Sequence, residues 1–217
     1  VNVPFIRNHQ YNLIRKQARM LLNACNTVSD PKVVEAVRAG ALSAIVEAFP
    51  QATEIQKQAL ECITELRNAE DYERYMFSLA PYMAEFEPVT EQQLRKLFPK
   101  TKKLKLPDLA AIDNRYVTYV GWTDIATNKL FIVYRLNGQL VGIEGRYTPL
   151  NKKGVCFLCN RHEEVAMVSA MTRKRPANAS PDYYQSIGNY MCVGSETCNS
   201  NITDVASLEK FIQAVLG

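Results

Sequence analysis

The chain has 217 residues and is 47% apolar and 22% charged, enough to build one large domain or two small ones without outside help. That apolar share excludes intrinsic disorder, and no run of about 18 uncharged apolar residues is present to cross a membrane as a helix. The first residues, Val1 to Arg7, lack the basic-then-apolar layout of a secretory signal, so the expected compartment is the cytoplasm. The net charge of +4 is uneven: residues 1–87 carry −2 and residues 88–217 carry +6. This asymmetry suggests two modules, the basic one facing an anionic partner.

The first module reads as helices. Leu13, Ile14, Ala18, Leu21, Leu22 and Cys25 recur at steps of three and four, giving one buried stripe. Ser29-Asp30-Pro31 is a helix start, with a capping side chain followed by a proline whose missing N–H costs nothing in the first turn. Val33, Val34 and Val37 continue that helix; Gly40 is expected to break it before Leu42, Ile45, Val46 and Phe49, and Pro50 closes the segment. Further helices are expected over Ile55–Leu66 and from about Glu70 to Glu85. Four or five short helices with brief connections make a small antiparallel bundle. Cys25 and Cys62 fall on apolar stripes and are expected in its core.

Pro88 marks the expected boundary, between domains at 1–87 and 88–217. Thr90-Glu91-Gln92-Gln93 matches a capping box and opens a short helix that ends before Pro99. Four lysines follow within Lys100–Lys105. The period then changes: Tyr116–Trp122 and Lys129–Leu136 are rich in β-branched and aromatic residues, as strands are. Asn137-Gly138 is a hairpin turn, and Gln139–Tyr147 returns as the third strand of a meander. Glu164–Met171 reads as another strand, Gly188–Cys192 as a return, and Thr203 as the cap of a last helix with Val205, Leu208, Phe211, Ile212 and Val215 on one face.

Cys156, Cys159, Cys192 and Cys198 crowd the last third of the chain. Two thiolates on a Cys-x2-Cys turn supply one edge of a zinc tetrahedron, and a second pair beyond a hairpin, leading to a helix, is the order of a treble clef. Four thiolates close the coordination shell, so one structural Zn(2+) in a zinc-binding part at about 150–217 is the expectation. A disulfide or free thiols are the alternatives, as is His162 in place of one cysteine. No nucleophile motif, zinc-protease motif or phosphate loop occurs, and the two histidines, His9 and His162, lie in different modules; an enzyme is not expected. The expected fold class is α+β: an N-terminal antiparallel helical bundle, then an α/β domain with a β-meander and a treble-clef-like four-cysteine zinc finger.

His9-Gln10-Tyr11-Asn12-x-Ile14-Arg15, Val120-Gly121-Trp122, Cys156-x-x-Cys159-Asn160, Gly188-x-Tyr190-x-Cys192, Cys198-Asn199 and the closing Thr203-Asp204 helix together resemble the FusB-type fusidic-acid resistance proteins, also called elongation factor G-binding proteins. The likeness runs nearly end to end. It implies a non-enzymatic protein that binds translation elongation factor G through the C-terminal domains of the factor and promotes its release from ribosomes stalled by fusidic acid. The resemblance implies no drug binding or modification and no membrane. Binding positions carried over from the family are Tyr190 and Phe211, both aromatic as in the pattern, and two departures: Val155 where the family has an aromatic before the knuckle, and Ile187 where it has a lysine. Basic clusters at Lys100–Lys105, Lys152-Lys153 and Arg173-Lys174-Arg175 are suited to steering approach to an acidic surface. The alternative function is a nucleic-acid-binding zinc-finger protein, suggested by the +6 module and its aromatic residues.

Overall fold

The computed structural model describes residues 3–173, 178, 180 and 184–217. The chain divides into two compact units, Val1–Ala84 and Glu85–Gly217.

The first unit is helical: α1 (Asn8–Thr27), α2 (Pro31–Glu47), α3 (Glu54–Glu61) and α4 (Ala69–Ser78), with 3-10 turns at Cys62–Glu65 and Ala80–Tyr82. The α2 start is the one expected, the Asp30 carboxylate accepting from the Lys32 amide at 2.9 Å with Pro31 in the first turn. Thr53 and Gln56 cap α3 reciprocally, and the Asn68 side chain accepts from the Asp71 amide to open α4. Ile14, Ala18 and Leu21 of α1 pack with Ile45 of α2, then Leu60, Ile63, Tyr75 and Leu79, all buried. A short parallel bridge joins Ile6 to Met83.

Three expectations for this unit are corrected. Gly40 does not break α2; the helix continues to Glu47. A glycine in an exposed helix interior costs about 1 kcal/mol relative to alanine, and burial of Ala41 and Ile45 beyond it outweighs that. The helix expected to reach Glu85 stops at Ser78, because Pro81 cannot continue an α-helical ladder and sits instead in the 3-10 turn. Cys62 is exposed and Cys25 only half-buried, so neither is a full core residue. Cys62 begins the 3-10 turn, where the change of pitch swings its thiol off the buried stripe.

The second unit opens with α5 (Glu91–Leu97), capped by Thr90 and Gln93 as the capping box predicts. Five antiparallel strands follow in spatial order identical to chain order: β1 (Val120–Asp124), β2 (Lys129–Leu136), β3 (Gln139–Val155), β4 (His162–Met171) and β5 (Ser186–Cys192). Asn137 and Gly138 both take positive φ, +52° and +79°, the turn geometry that Asn-Gly favours. Two short helices end the unit, α6 (Ser195–Asn199) and α7 (Ala206–Leu216).

Each sheet face has its own core. On one, Ile132, Tyr134, Ile143, Tyr147 and Val168 pack against Leu208, Phe211, Ile212 and Val215 of α7. On the other, Leu94 of α5 and Phe98 just after it cover Val120, Phe131 and Val133, with Trp122 stacked on Phe131 at 5.0 Å.

The sheet also departs from expectation at three points. The first strand begins at Val120 rather than Tyr116, because Asp113 turns the chain into a 3-10 turn by accepting from the Arg115 amide. The third strand runs eight residues past Tyr147, through a register shift between Pro149 and Lys152. Thr203 does not cap α7; the Asp204 carboxylate accepts from the Ala206 amide instead.

Candidate metal centre and binding face

The knuckle is built by hydrogen bonds of the chain to itself. The Asn160 amide donates to the Cys156 carbonyl and the Cys156 amide to the Arg161 carbonyl, both at 2.9 Å. Closing so tight a turn needs a residue at positive φ, and Asn160 supplies it at +55°. This turn joins β3 to β4 and presents Cys156 and Cys159. Cys192 arrives at the end of β5, and Cys198 comes from α6. The Phe157 amide donates to the Tyr190 carbonyl at 2.7 Å, tying knuckle to strand.

All four sulfurs are buried and lie within 4.8 Å of one another. Cys156 and Cys198 are 3.9 Å apart at sulfur, and Cys159 and Cys192 are 3.6 Å apart. A tetrahedral zinc with Zn–S bonds of about 2.3 Å requires sulfur separations of about 3.8 Å, so the set fits the ion. A disulfide needs sulfurs at about 2.05 Å, and all four cysteines are free. His162 is outside the cluster, exposed at the start of β4. Four thiolates would leave no open position for water or substrate, which makes the ion a part of the fold.

The surroundings favour negative sulfur. The Cys192 amide donates to Cys156 Sγ at 3.3 Å. Hydrogen bonds from the neighbouring thiols, Cys159 first, hold Cys156 far below the ordinary thiol range, while the same crowding, led by Cys156, pushes Cys192 and Cys198 far up. Four thiolates this close repel one another, and a bound cation would be what lets all four give up their protons together. Tyr119, buried beside the cluster, is held neutral well above its usual range by burial and by its hydrogen bond to Cys198.

A second group of residues, without any metal-binding signature in the sequence, fixes the cluster to the sheet. Asn199 is buried and bonds the main chain at Thr118 and Tyr119. Ser195 donates to the Gly121 carbonyl at 2.6 Å. Glycine is required at 121, since a Cβ there would lie 2.7 Å from the Tyr119 ring and 2.9 Å from Ser195 Cβ. The Asn199 and Gly121 positions stood within the quoted motifs, but their partnership depends on α6 approaching β1, 74 to 81 residues away in sequence.

The four expected binding positions divide in two. Tyr190 and Val155 are exposed, at 47% and 55%, each close in sequence to a cysteine of the cluster. Ile187 is half-buried against the core, and Phe211 is only 2% exposed, edge-on to Phe157 with ring centres 6.4 Å apart. Phe211 lies on the face of α7 turned to the sheet, so it holds the helix down and offers no ring to a partner. Lys152 and Lys153 are exposed, whereas Lys174 and Arg175 lie outside the described residues. Among the described residues no helix is long and apolar enough to cross a membrane.

Residues 5–87 match the family described as elongation factor G-binding protein, N-terminal, and residues 94–213 match the FBP C-terminal treble-clef zinc finger. No curated protein matches the chain. Among solved structures, the fusidic acid resistance protein FusC superposes with a TM-score of 0.81 at 27% identity, covering 99% of this chain and 98% of that one. With both halves and the whole fold in agreement, the chain belongs to the elongation factor G-binding family of fusidic-acid resistance proteins, a non-enzymatic family, and its treble-clef finger brings together four cysteines suited to one zinc.

Proposed function

We propose that this protein grips elongation factor G through the exposed rim of its zinc-bearing unit and promotes release of the factor from ribosomes on which fusidic acid has trapped it. The observation that carries the reading is a family match to an elongation factor G-binding protein whose metal module leaves Tyr190 and Val155 uncovered. Tyr190 suits such a contact, because its ring can be buried by a partner while its hydroxyl stays wet. The C-terminal domains of the factor are the surface contacted, the encounter takes place transiently in the ribosome context in the cytoplasm, and the drug is left intact and unbound.

The protein can only shift the factor towards the free state by binding the released conformation more tightly than the ribosome-bound one. Ile187 stands where the family pattern has a lysine, and Val155 where it has an aromatic, so this chain relies on Tyr190 and on apolar contact more than on charge. The test has two parts. Calorimetry with purified elongation factor G is expected to show binding, and release kinetics from drug-stalled ribosomes are expected to accelerate in its presence. Absence of binding at micromolar concentrations overturns the proposal, and binding without accelerated release overturns its second half.

A further inference from the structure

The second unit carries an open groove of about 1080 Å³ remote in sequence from the cysteine cluster. It runs between the end of α5, the middle of β3 and the end of β4. Lys96, Lys100 and Arg173 line it, the Arg173 guanidinium resting on the Gly142 carbonyl. Across the floor, strand register sets Lys129, Arg146 and Ser169 in one row over β2, β3 and β4, all on the same face because directly paired residues share a side.

Among the described residues the lining holds five cations and one carboxylate, Glu144. That carboxylate is already engaged by Lys129 and by the Thr101 hydroxyl, which donates to it at 2.7 Å. Burial alone would raise the Glu144 carboxyl, but these two hydrogen bonds outweigh it and hold the group below its ordinary range. The groove therefore presents surplus positive charge at neutral pH. Arg146 is exposed, and the Arg173 guanidinium, just beyond the end of β4, donates to the Gly142 carbonyl at 3.2 Å, four residues along β3 from Arg146, a separation of about 13 Å at strand rise and too far for one phosphate to bridge.

From this arrangement we infer that the groove is a second binding site, for the phosphate backbone of unpaired RNA. Single strands are held by grooves of positive charge with an aromatic ring available for stacking. Tyr184, 73% exposed, provides that ring at the rim, and the hydroxyls of Ser169 and Ser186 line the groove within reach of a ribose. An acidic peptide fits less well. Extended peptides add to a free strand edge or seat side chains in apolar pockets, whereas β3 and β4 are interior strands with both edges paired. The inference stands on this groove alone and does not require the factor-binding reading.

The probe is a fluorescein-labelled oligouridine of about 12 nucleotides, followed by anisotropy over a salt series. Binding in the micromolar range near 50 mM salt is expected, with a log–log salt slope of about −3 for four phosphate contacts at roughly 0.7 each. Reversal of three groove cations, Lys96→Glu with Lys100→Glu and Arg146→Glu, should weaken binding by about tenfold or more. Lys152→Glu with Lys153→Glu, the same kind of change outside the groove, should alter it by about twofold at most. Tyr184→Ala should weaken binding while leaving the salt slope unchanged. Zinc content and unfolding midpoint, unchanged in every variant, exclude misfolding as the cause. No binding by the wild type, equal losses from the two charge-reversal sets, or a polyglutamate of equal length binding as tightly would each overturn the inference, the last in favour of an acidic protein surface.

Discussion

Asn199 and Tyr119 are joined in both directions: the Asn199 amide nitrogen donates to the Tyr119 carbonyl at 2.9 Å, and its oxygen accepts from the Tyr119 amide at 3.2 Å. The same oxygen accepts from the Thr118 amide at 2.8 Å. One side chain thus replaces a missing strand partner at the entrance to β1, next to the last cysteine of the cluster. All three groups are buried, so nothing else can serve them. Asn199→Ala leaves two buried amides and a carbonyl unpaired and should destabilise the second unit by about 3 kcal/mol, read as a lower midpoint in urea. Asn199→Asp keeps the acceptor, loses the donor and should fall between the two.

The zinc ligands make a claim on metal content. One zinc per chain is expected, and Cys156→Ser should reduce it to near zero and unfold the sheet, while helical circular dichroism from the first unit persists. Because binding requires deprotonated thiols, acid should release the metal. Elemental analysis of dialysed protein, and a chelator titration followed by a zinc dye, check both points. A metal-free preparation with an intact sheet would contradict the assignment.

Gly121→Ala places a methyl group where the Tyr119 ring and Ser195 already stand, both closer than 3.0 Å. The ring is buried and cannot swing away, so α6 must shift. A loss of about 1–3 kcal/mol is expected, with slower zinc uptake as a second readout. Gly40→Ala, whose added methyl meets nothing within 4 Å, should instead stabilise the first unit by up to about 1 kcal/mol.

Phe211 and Tyr190 should separate stability from binding. Phe211→Ala empties a buried site and should cost about 3–5 kcal/mol in the second unit. Tyr190→Ala removes an exposed ring and should leave the unfolding midpoint unchanged while weakening affinity for elongation factor G in calorimetry. Equal affinity for that variant and the wild type would remove Tyr190 from the interface.

Glu144 sets a pH dependence of known sign. Its carboxyl lies below the ordinary range because hydrogen bonds from Lys129 and Thr101 outweigh burial. Such a group stabilises the fold fully above the unfolded carboxyl value, and the contribution fades as pH falls through the lower folded value. The stability gap between wild type and Glu144→Gln should therefore be constant at neutral pH and shrink in acid below about pH 4.5. A gap that widens in acid would contradict this. Urea midpoints over a pH series, compared at equal zinc content, measure it.

Legibility in the sequence followed the range of the interactions. Strand β2 reads with its bounds intact, because Lys129–Leu136 is a run of β-branched and aromatic residues ending at Asn137-Gly138. The four cysteines also announce themselves, since thiolate chemistry needs only those residues at workable spacing. The second half of β3 does not: Thr148-Pro149-Leu150-Asn151 contains a proline and breaks the alternation, and Leu150 and Asn151 bulge out of the pairing with β4, Asn151 at φ +52°, before it resumes at Lys152. Helix α6 is five residues long, too short for any periodicity. The burial of Phe211 is consistent with its helical stripe. The exposure of Cys62 is not, because a 3-10 turn rotates side chains off a stripe read at 3.6 residues per turn.

The cluster joins residues 42 positions apart, Cys156 to Cys198. Synthesis runs from the first unit towards the second, and domains fold as they emerge. The helices of Val1–Ala84 can settle as soon as they are made, but the sheet waits for its last sulfur, with β3 and β4 already present and their apolar faces uncovered. Zinc supply thus governs how long a nascent chain remains exposed to aggregation and proteolysis, and a cell short of the metal would accumulate a protein whose first unit is sound and whose second never closes.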